Sequence, residues 1–275
     1  MWRKDVELPV TYKDILSGLK ALGIGNGDLL AVHSSLKSMG RVEGGPETVV
    51  EALKSAVGRR GTLLMPVFTP PSDVFYVNDA PSTTGIITET LRHSPGTVRS
   101  LHPTHSVAVW GRYARNLARD HHKHEALGVN SPFHRLARRG GKVLFIGVDF
   151  TKASLVHVAE SVARAPYQDI FYPNYRRRTT LVAANGRRIR YMPKENPGDS
   201  SGFLVLQEHM RKKGLLVTGR LGRARVILVD ARQLIANALE LLSRDGAILL
   251  CRKPRCPVCP ERRKKVQRLG WRYSG

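Results

Sequence analysis

Long apolar runs are missing from this sequence. Nowhere do about 18 consecutive apolar residues occur, which argues against a membrane-spanning helix. The opening residues Met1-Trp2-Arg3-Lys4-Asp5 lack the apolar stretch of a secretory signal, so a cytoplasmic protein is expected. Cysteine is scarce: only Cys251, Cys256 and Cys259 occur, and an odd count in such a protein argues against a disulfide framework. Cys256-Pro-Val-Cys259 has zinc-knuckle spacing, but Cys251 is the one obvious third ligand and a structural zinc normally takes four. On that count the thiols read as ordinary and no metal is required. Also missing are a Gly-x-Ser-x-Gly elbow, a Walker loop and a His-Glu-x-x-His motif, which removes the chemistries those motifs carry.

Acidic residues are few, 22 against 45 Lys and Arg, for a net charge of +23. Such a surface attracts anions, whether nucleic acid, anionic membrane or phosphorylated small molecules. The excess is local. Residues 28–98 hold six Lys/Arg and seven Asp/Glu, whereas 176–190 hold six Arg and no acid, and 251–275 hold nine Lys/Arg and one Glu.

What is present is enough apolar residue, 41% of 275, for one large core. The expected organisation is a single domain over 1–275, with a basic hairpin excursion at about 176–192 and a basic, cysteine-containing surface tail at about 251–275. Helix-like and strand-like segments alternate in the first part. Helices are expected over 11–22, with Thr11 as N-cap, and over 46–57, 86–93, 132–139 and 154–164. Strands are expected over 29–33, 62–67, 106–110 and 142–148. The alternation implies a layered α/β/α fold with a largely parallel central sheet. Asn185-Gly186 between two strand-like runs then predicts an antiparallel hairpin in the second half. A helix over 200–213, strands over 215–218 and 226–229, a helix capped by Asp230, and a last strand over 248–250 complete the reading.

Three polar segments could carry chemistry. His33-Ser34-Ser35-Leu36 follows a strand, and small residues there let backbone N–H groups approach a ligand; it is equally an ordinary strand-to-helix loop. Arg99-Ser100-Leu101-His102-Pro103-Thr104-His105-Ser106 offers a guanidinium, hydroxyls and imidazoles, or a bland connection. Ser154-Leu155-Val156-His157-Val158-Ala159-Glu160 places His157 and Glu160 three apart on one helix face, as a general-base pair or a plain surface pair. His121-His122-Lys123-His124 matches no common ligand spacing and reads as a solvated loop.

Together with Gly61-Thr62-Leu63-Leu64-Met65-Pro66, Gly85 to Arg92, Asn130-Ser131-Pro132 and Gly141 to Val148, these segments resemble the aminoglycoside 3-N-acetyltransferase family, in order and rough spacing, over about residues 10 to 165. The resemblance implies an N-acetyltransferase that moves an acetyl group from acetyl-CoA to an amine of an aminoglycoside or related compound by direct attack in a ternary complex. It implies His157 and Glu160 as the proton-handling pair, without assigning the base, and Ser154 facing the active site. It implies His33, Ser34, Ser35, Leu36, Arg99, Ser100, His102 and Ser106 along the cofactor channel. A monomer or homodimer is expected, without membrane or nucleic acid as partner. Aminoglycosides are polycations, which a net charge of +23 repels at long range. Asp73, Asp79, Glu125 and Asp169 are the candidates for a local acidic pocket. A biosynthetic acyltransferase for a phosphate-bearing or nucleotide-linked amine is the alternative, and a nucleic-acid-binding protein the more distant one.

Overall fold

Thr11 closes a capping box with Asp14 at the start of α1 (Tyr12–Ala21), whose buried Ile15 and Leu19 face the sheet. This computed structural model describes residues 8–275; the opening stretch Met1 to Asp5 read above for a secretory signal lies outside the described residues. The chain then runs β1 (Leu29–Ser34), α2 (Gly45–Val57), β2 (Thr62–Phe68), β3 (Val74–Tyr76), α3 (Ile86–His93), β4 (Val98–Arg99) and β5 (His105–Gly111). It continues through α4 (Ala114–Ala118), α5 (Pro132–Arg138), β6 (Lys142–Ile146), α6 (Val156–Val162), β7 (Thr179–Val182) and β8 (Arg188–Tyr191). The last elements are α7 (Leu204–Lys212), β9 (Val217–Leu221), β10 (Ala224–Asp230), α8 (Ala231–Arg244) and α9 (Cys259–Leu269).

Seven strands form the main sheet in the order β4-β5-β2-β1-β6-β10-β9. Parallel pairing joins the central trio β2-β1-β6; the flanking pairs are antiparallel. The central strands are buried on both faces, and so read as continuous apolar runs. Leu30, Val32, Leu63, Met65, Leu144 and Ile146 pack against α1, α2 and α3 on one side. Leu29, Ala31, Leu64, Val143 and Phe145 pack against α4 to α8 on the other. The layers are therefore α/β/α, as expected. Asn185-Gly186 turns β7 into β8, with Gly186 at φ 79°. This hairpin recruits β3 to make a second, three-stranded sheet, a long-range pairing that no local pattern announces.

Two local expectations are corrected. Residues 248–250 are a turn, not a strand, with the Ile248 N–H bonded to the Asp245 carbonyl and that of Leu250 to Ala247. Their apolar character reflects burial of Leu249 and Leu250, and β9 already closes that end of the sheet. The basic segment from Cys251 onward is not a loose surface tail. It folds back through α9 and buries Cys251, Cys256, Val258, Cys259, Arg262 and Val266.

Candidate active site

A cleft of about 460 Å³ opens at the C-terminal ends of β1, β2 and β6, where loops leave the parallel strands. His33 and Ser34 come from the end of β1, Pro66 and Phe68 from β2, Val148 from the segment after β6, and His105 from the start of the antiparallel β5. Ser154 and His157 form one wall, and Pro197, Gly198 and Ser200 form another.

His157 Nδ1 lies 2.6 Å from Glu160 Oε2, across one turn of α6. Both residues are buried, at 5% and 2% exposure. The carboxylate's other oxygen, Oε1, accepts from Tyr167 Oη at 2.9 Å. Burial alone would push the Glu160 carboxyl up; the hydrogen bond and charge of His157, with Arg262 and the Tyr167 hydroxyl, outweigh it and hold the group below its ordinary value. Burial and the Glu160 charge push the Tyr167 hydroxyl well up, so it stays a donor. Arg262 of α9 lies over the Tyr167 ring at 5.6 Å and donates to the carbonyls of Ile170 and Asn196 at 2.8 and 2.7 Å. With Nδ1 held against the Glu160 carboxylate, Nε2 is the ring nitrogen left over, on a residue that lines the cleft.

His33 stacks on Phe145, with ring centroids 5.3 Å apart, and its Nε2 is buried without a hydrogen-bond partner. Burial, then the charge of Lys152, lowers its pKa to about 3, so the ring is neutral. Ser35 and Leu36 stand behind the lining. The Ser35 N–H is bonded to the Ile146 carbonyl at 3.0 Å, and the Leu36 side chain packs against the core under α1 and α2.

The Arg99–Ser106 segment divides. Arg99, Ser100, His102 and Ser106 do not line the cleft; they tie the sheets together behind it. Arg99 donates to Ser106 Oγ at 3.0 Å and to the Val77 and Ala80 carbonyls, and Ser106 Oγ donates to the Val67 carbonyl at 2.7 Å. Ser100 Oγ meets His121 Nδ1 at 2.8 Å, and His102 Nε2 meets Tyr191 Oη of the hairpin at 2.8 Å. His121 is thus buried rather than part of a solvated loop, because its two ring nitrogens are satisfied by Ser100 and the Ala126 carbonyl. The member of the segment that does reach the cleft is His105, bonded to Thr104 and Tyr175. Residue-by-residue reading also missed Lys152, Tyr167 and Arg262. Their roles depend on contacts between distant segments, and Arg262 sits in a run of basic residues that reads as solvated.

None of the proposed acidic-pocket residues lines the cleft. Asp73 pairs with Arg177 on the surface, Asp169 pairs with Lys265, and Glu125 is bonded to Ser161. Among the described residues the lining holds no carboxylate and one cation, Lys152. No helix of the described residues is long and apolar enough to cross a membrane.

Comparisons with known proteins converge. The family model described as aminoglycoside 3-N-acetyltransferase matches residues 31–243. Aminoglycoside N(3)-acetyltransferase VIII of Streptomyces fradiae is 33% identical over 273 residues, covering 86% of this chain and 94% of the relative. Aminoglycoside N(3)-acetyltransferase IV of Salmonella sp is 31% identical, covering 90% of each. Among solved structures, a mutant of aminoglycoside acetyltransferase AAC(3)-IVa in complex with gentamicin superposes with a TM-score of 0.83 at 28% identity, covering 95% of this chain and 99% of that one. AAC-IIIb in a binary complex with CoASH superposes with a TM-score of 0.74 at 27% identity, covering 86% and 97%.

Proposed function

The chain belongs to the aminoglycoside 3-N-acetyltransferase family, and we propose on that premise that it transfers an acetyl group from acetyl-CoA to an amine of an aminoglycoside. The relatives' complexes with CoASH and gentamicin support the donor and the acceptor class. The observation that carries the mechanism is the buried His157–Glu160 pair, with Nδ1 committed to the carboxylate and Nε2 left to the cleft.

His157 is the base. Both Glu160 oxygens are already occupied, by His157 and Tyr167, and the carboxylate lies behind the ring. Nε2 takes the proton that the acceptor's ammonium must lose, and Glu160 stabilises the imidazolium that forms. The neutral amine attacks the thioester carbonyl; as the C–N bond forms and the C–S bond breaks, the imidazolium gives its proton to the departing sulfur, and the freed Nε2 takes the proton that the new amide nitrogen sheds and passes it to solvent. Because the Ser35 amide is spent on Ile146, stabilisation of the oxyanion falls to the Ser34 hydroxyl and the charge of Lys152, both on the cleft wall. His33 Nε2 is available to bond the bound donor, and Ser154, on the same wall as His157, to orient the acceptor. Arg99, Ser100, His102 and Ser106 support this channel from behind, bracing its walls rather than touching the donor. The reading places the enzyme in the cytoplasm, where a CoA thioester is available.

The test is thiol release from acetyl-CoA with a panel of aminoglycosides, the acetylated product being confirmed by mass. Acceptor-dependent release is expected, and His157→Ala should lower kcat by about 10²- to 10⁴-fold, the usual worth of a general base. No release with any aminoglycoside overturns the acceptor class, and full activity of the His157 variant overturns the base.

A further inference from the structure

The three cysteines read from sequence as ordinary thiols come together in the fold. Cys251, Cys256 and Cys259 are all buried, and their Sγ atoms lie within 4.8 Å of one another, none in a disulfide. Tetrahedral zinc with Zn–S of ~2.3 Å holds its sulfurs ~3.8 Å apart, so a small contraction closes the cluster on an ion. The Cys256-Pro-Val-Cys259 turn directs the Cys259 N–H onto Cys256 Sγ at 3.4 Å, a donor that favours the thiolate over the thiol.

A fourth donor arrives from far up the chain. Asp199 Oδ2 lies 4.0 Å from Cys256 Sγ. The other oxygen, Oδ1, is taken by the amide and hydroxyl of Ser201, which holds the carboxylate in place. Counting ligands along the sequence finds three; the tertiary structure brings this carboxylate beside one of them, Cys256. Three thiolates and a carboxylate suit zinc rather than magnesium or calcium, whose ligands are oxygens. Their charge of −4 against +2 on the metal also explains why a basic segment surrounds the cluster. Lys253 lies 3.6 Å from Asp199 Oδ2, and Arg263 donates to the Cys251 carbonyl at 3.0 Å.

The segment has reason to need a staple. From α9 itself only Cys259, Arg262 and Val266 are buried, too little apolar surface to hold a terminal helix by itself. What it holds matters to the cleft. Asp199 lies between Gly198 and Ser200, both in the wall, and Arg262 braces Tyr167 beneath Glu160.

We propose that Cys251, Cys256, Cys259 and Asp199 form a structural zinc site that fastens the C-terminal segment to the wall of the cleft. As the metal binds, each thiol releases its proton to solvent. The ion takes no part in acetyl transfer, since no cysteine lines the cleft.

The experiment is metal analysis of the full chain purified without chelator, paired with cobalt(II) titration of the chelator-treated chain. One zinc per chain is expected, with sulfur-to-cobalt charge-transfer absorption and tetrahedral ligand-field bands. Asp199→Ala should keep the charge-transfer band but weaken zinc binding by about tenfold or more. Cys256→Ser should lose the metal. Because that variant could fail to fold, the cobalt spectrum of the unaltered chain carries the decision. Zinc absent from the purified chain together with no thiolate-to-cobalt absorption overturns the site. Undiminished zinc in the Cys256 variant overturns its placement, and unchanged affinity in the Asp199 variant removes the fourth ligand.

Discussion

Tyr167 acts on a group that it touches only through one hydrogen bond. Its hydroxyl donates to Glu160 Oε1, and that bond is one of the influences holding the carboxyl low. Removing it leaves a buried carboxylate oxygen unpaired and lets burial push the group up. Tyr167→Phe is therefore expected to move the acid limb of the kcat/KM profile to higher pH, while KM for acetyl-CoA changes little. An unmoved limb would mean that Glu160 does not titrate in the working range. At this scale the sequence was informative for His157 and Glu160, because one helical turn determines their approach. It was silent on Tyr167 and Arg262, whose partners arrive from other elements.

Gly147 shows how one backbone position sets an element in place. It ends β6 at φ 63°, where a Cβ would fall 1.6 Å from Ser38 Oγ and 2.3 Å from Ser38 Cβ. The turn after β1 thus packs directly on the turn after β6, which brings the Ser34 and Ser154 walls to one cleft. Gly147→Ala is expected to destabilise by about 2–4 kcal/mol through clash and left-handed strain together. Adding Ser38→Gly should return only the clash portion, as read by urea unfolding; full recovery would show that the backbone conformation costs nothing. Most helices and central strands were legible, since capping residues, Pro at N1 and doubly buried apolar runs act locally. The third strand of the small sheet and the packing of α9 were not, because neither carries a local signal stronger than its polar neighbours.

Across the whole molecule, buried imidazoles set the response to acid. Burial, the main cause in each, lowers His33, His105 and His121 from 6.5 to about 3, and carries His102 well below its ordinary value. These rings are neutral in the fold and titrate normally when unfolded, so their contribution is complete above pH 6.5 and is lost as pH falls toward 3. Glu195 opposes them. Burial raises its carboxyl from 4.5 to about 7, so its contribution is complete below 4.5 and is lost as pH rises through 7. Four groups outweigh one, and urea midpoints are expected to fall between pH 7 and pH 5. A flat or rising midpoint over that range would mean that the imidazoles are solvated.

The layered α/β architecture, the family and the His157–Glu160 pair could all be read along the chain. These rest on apolar periodicity, ordered short motifs and a spacing of one helical turn, all of which are local. Folding settled which of the polar residues between Arg99 and Ser106 face the cleft and which brace it, and kept the proposed acids out of its lining. It alone brought Arg262 over the Tyr167 ring that bonds Glu160, and Asp199 to Cys256. Such encounters join residues far apart in the chain, and their geometry follows from how the sheets and helices pack rather than from any neighbouring residue.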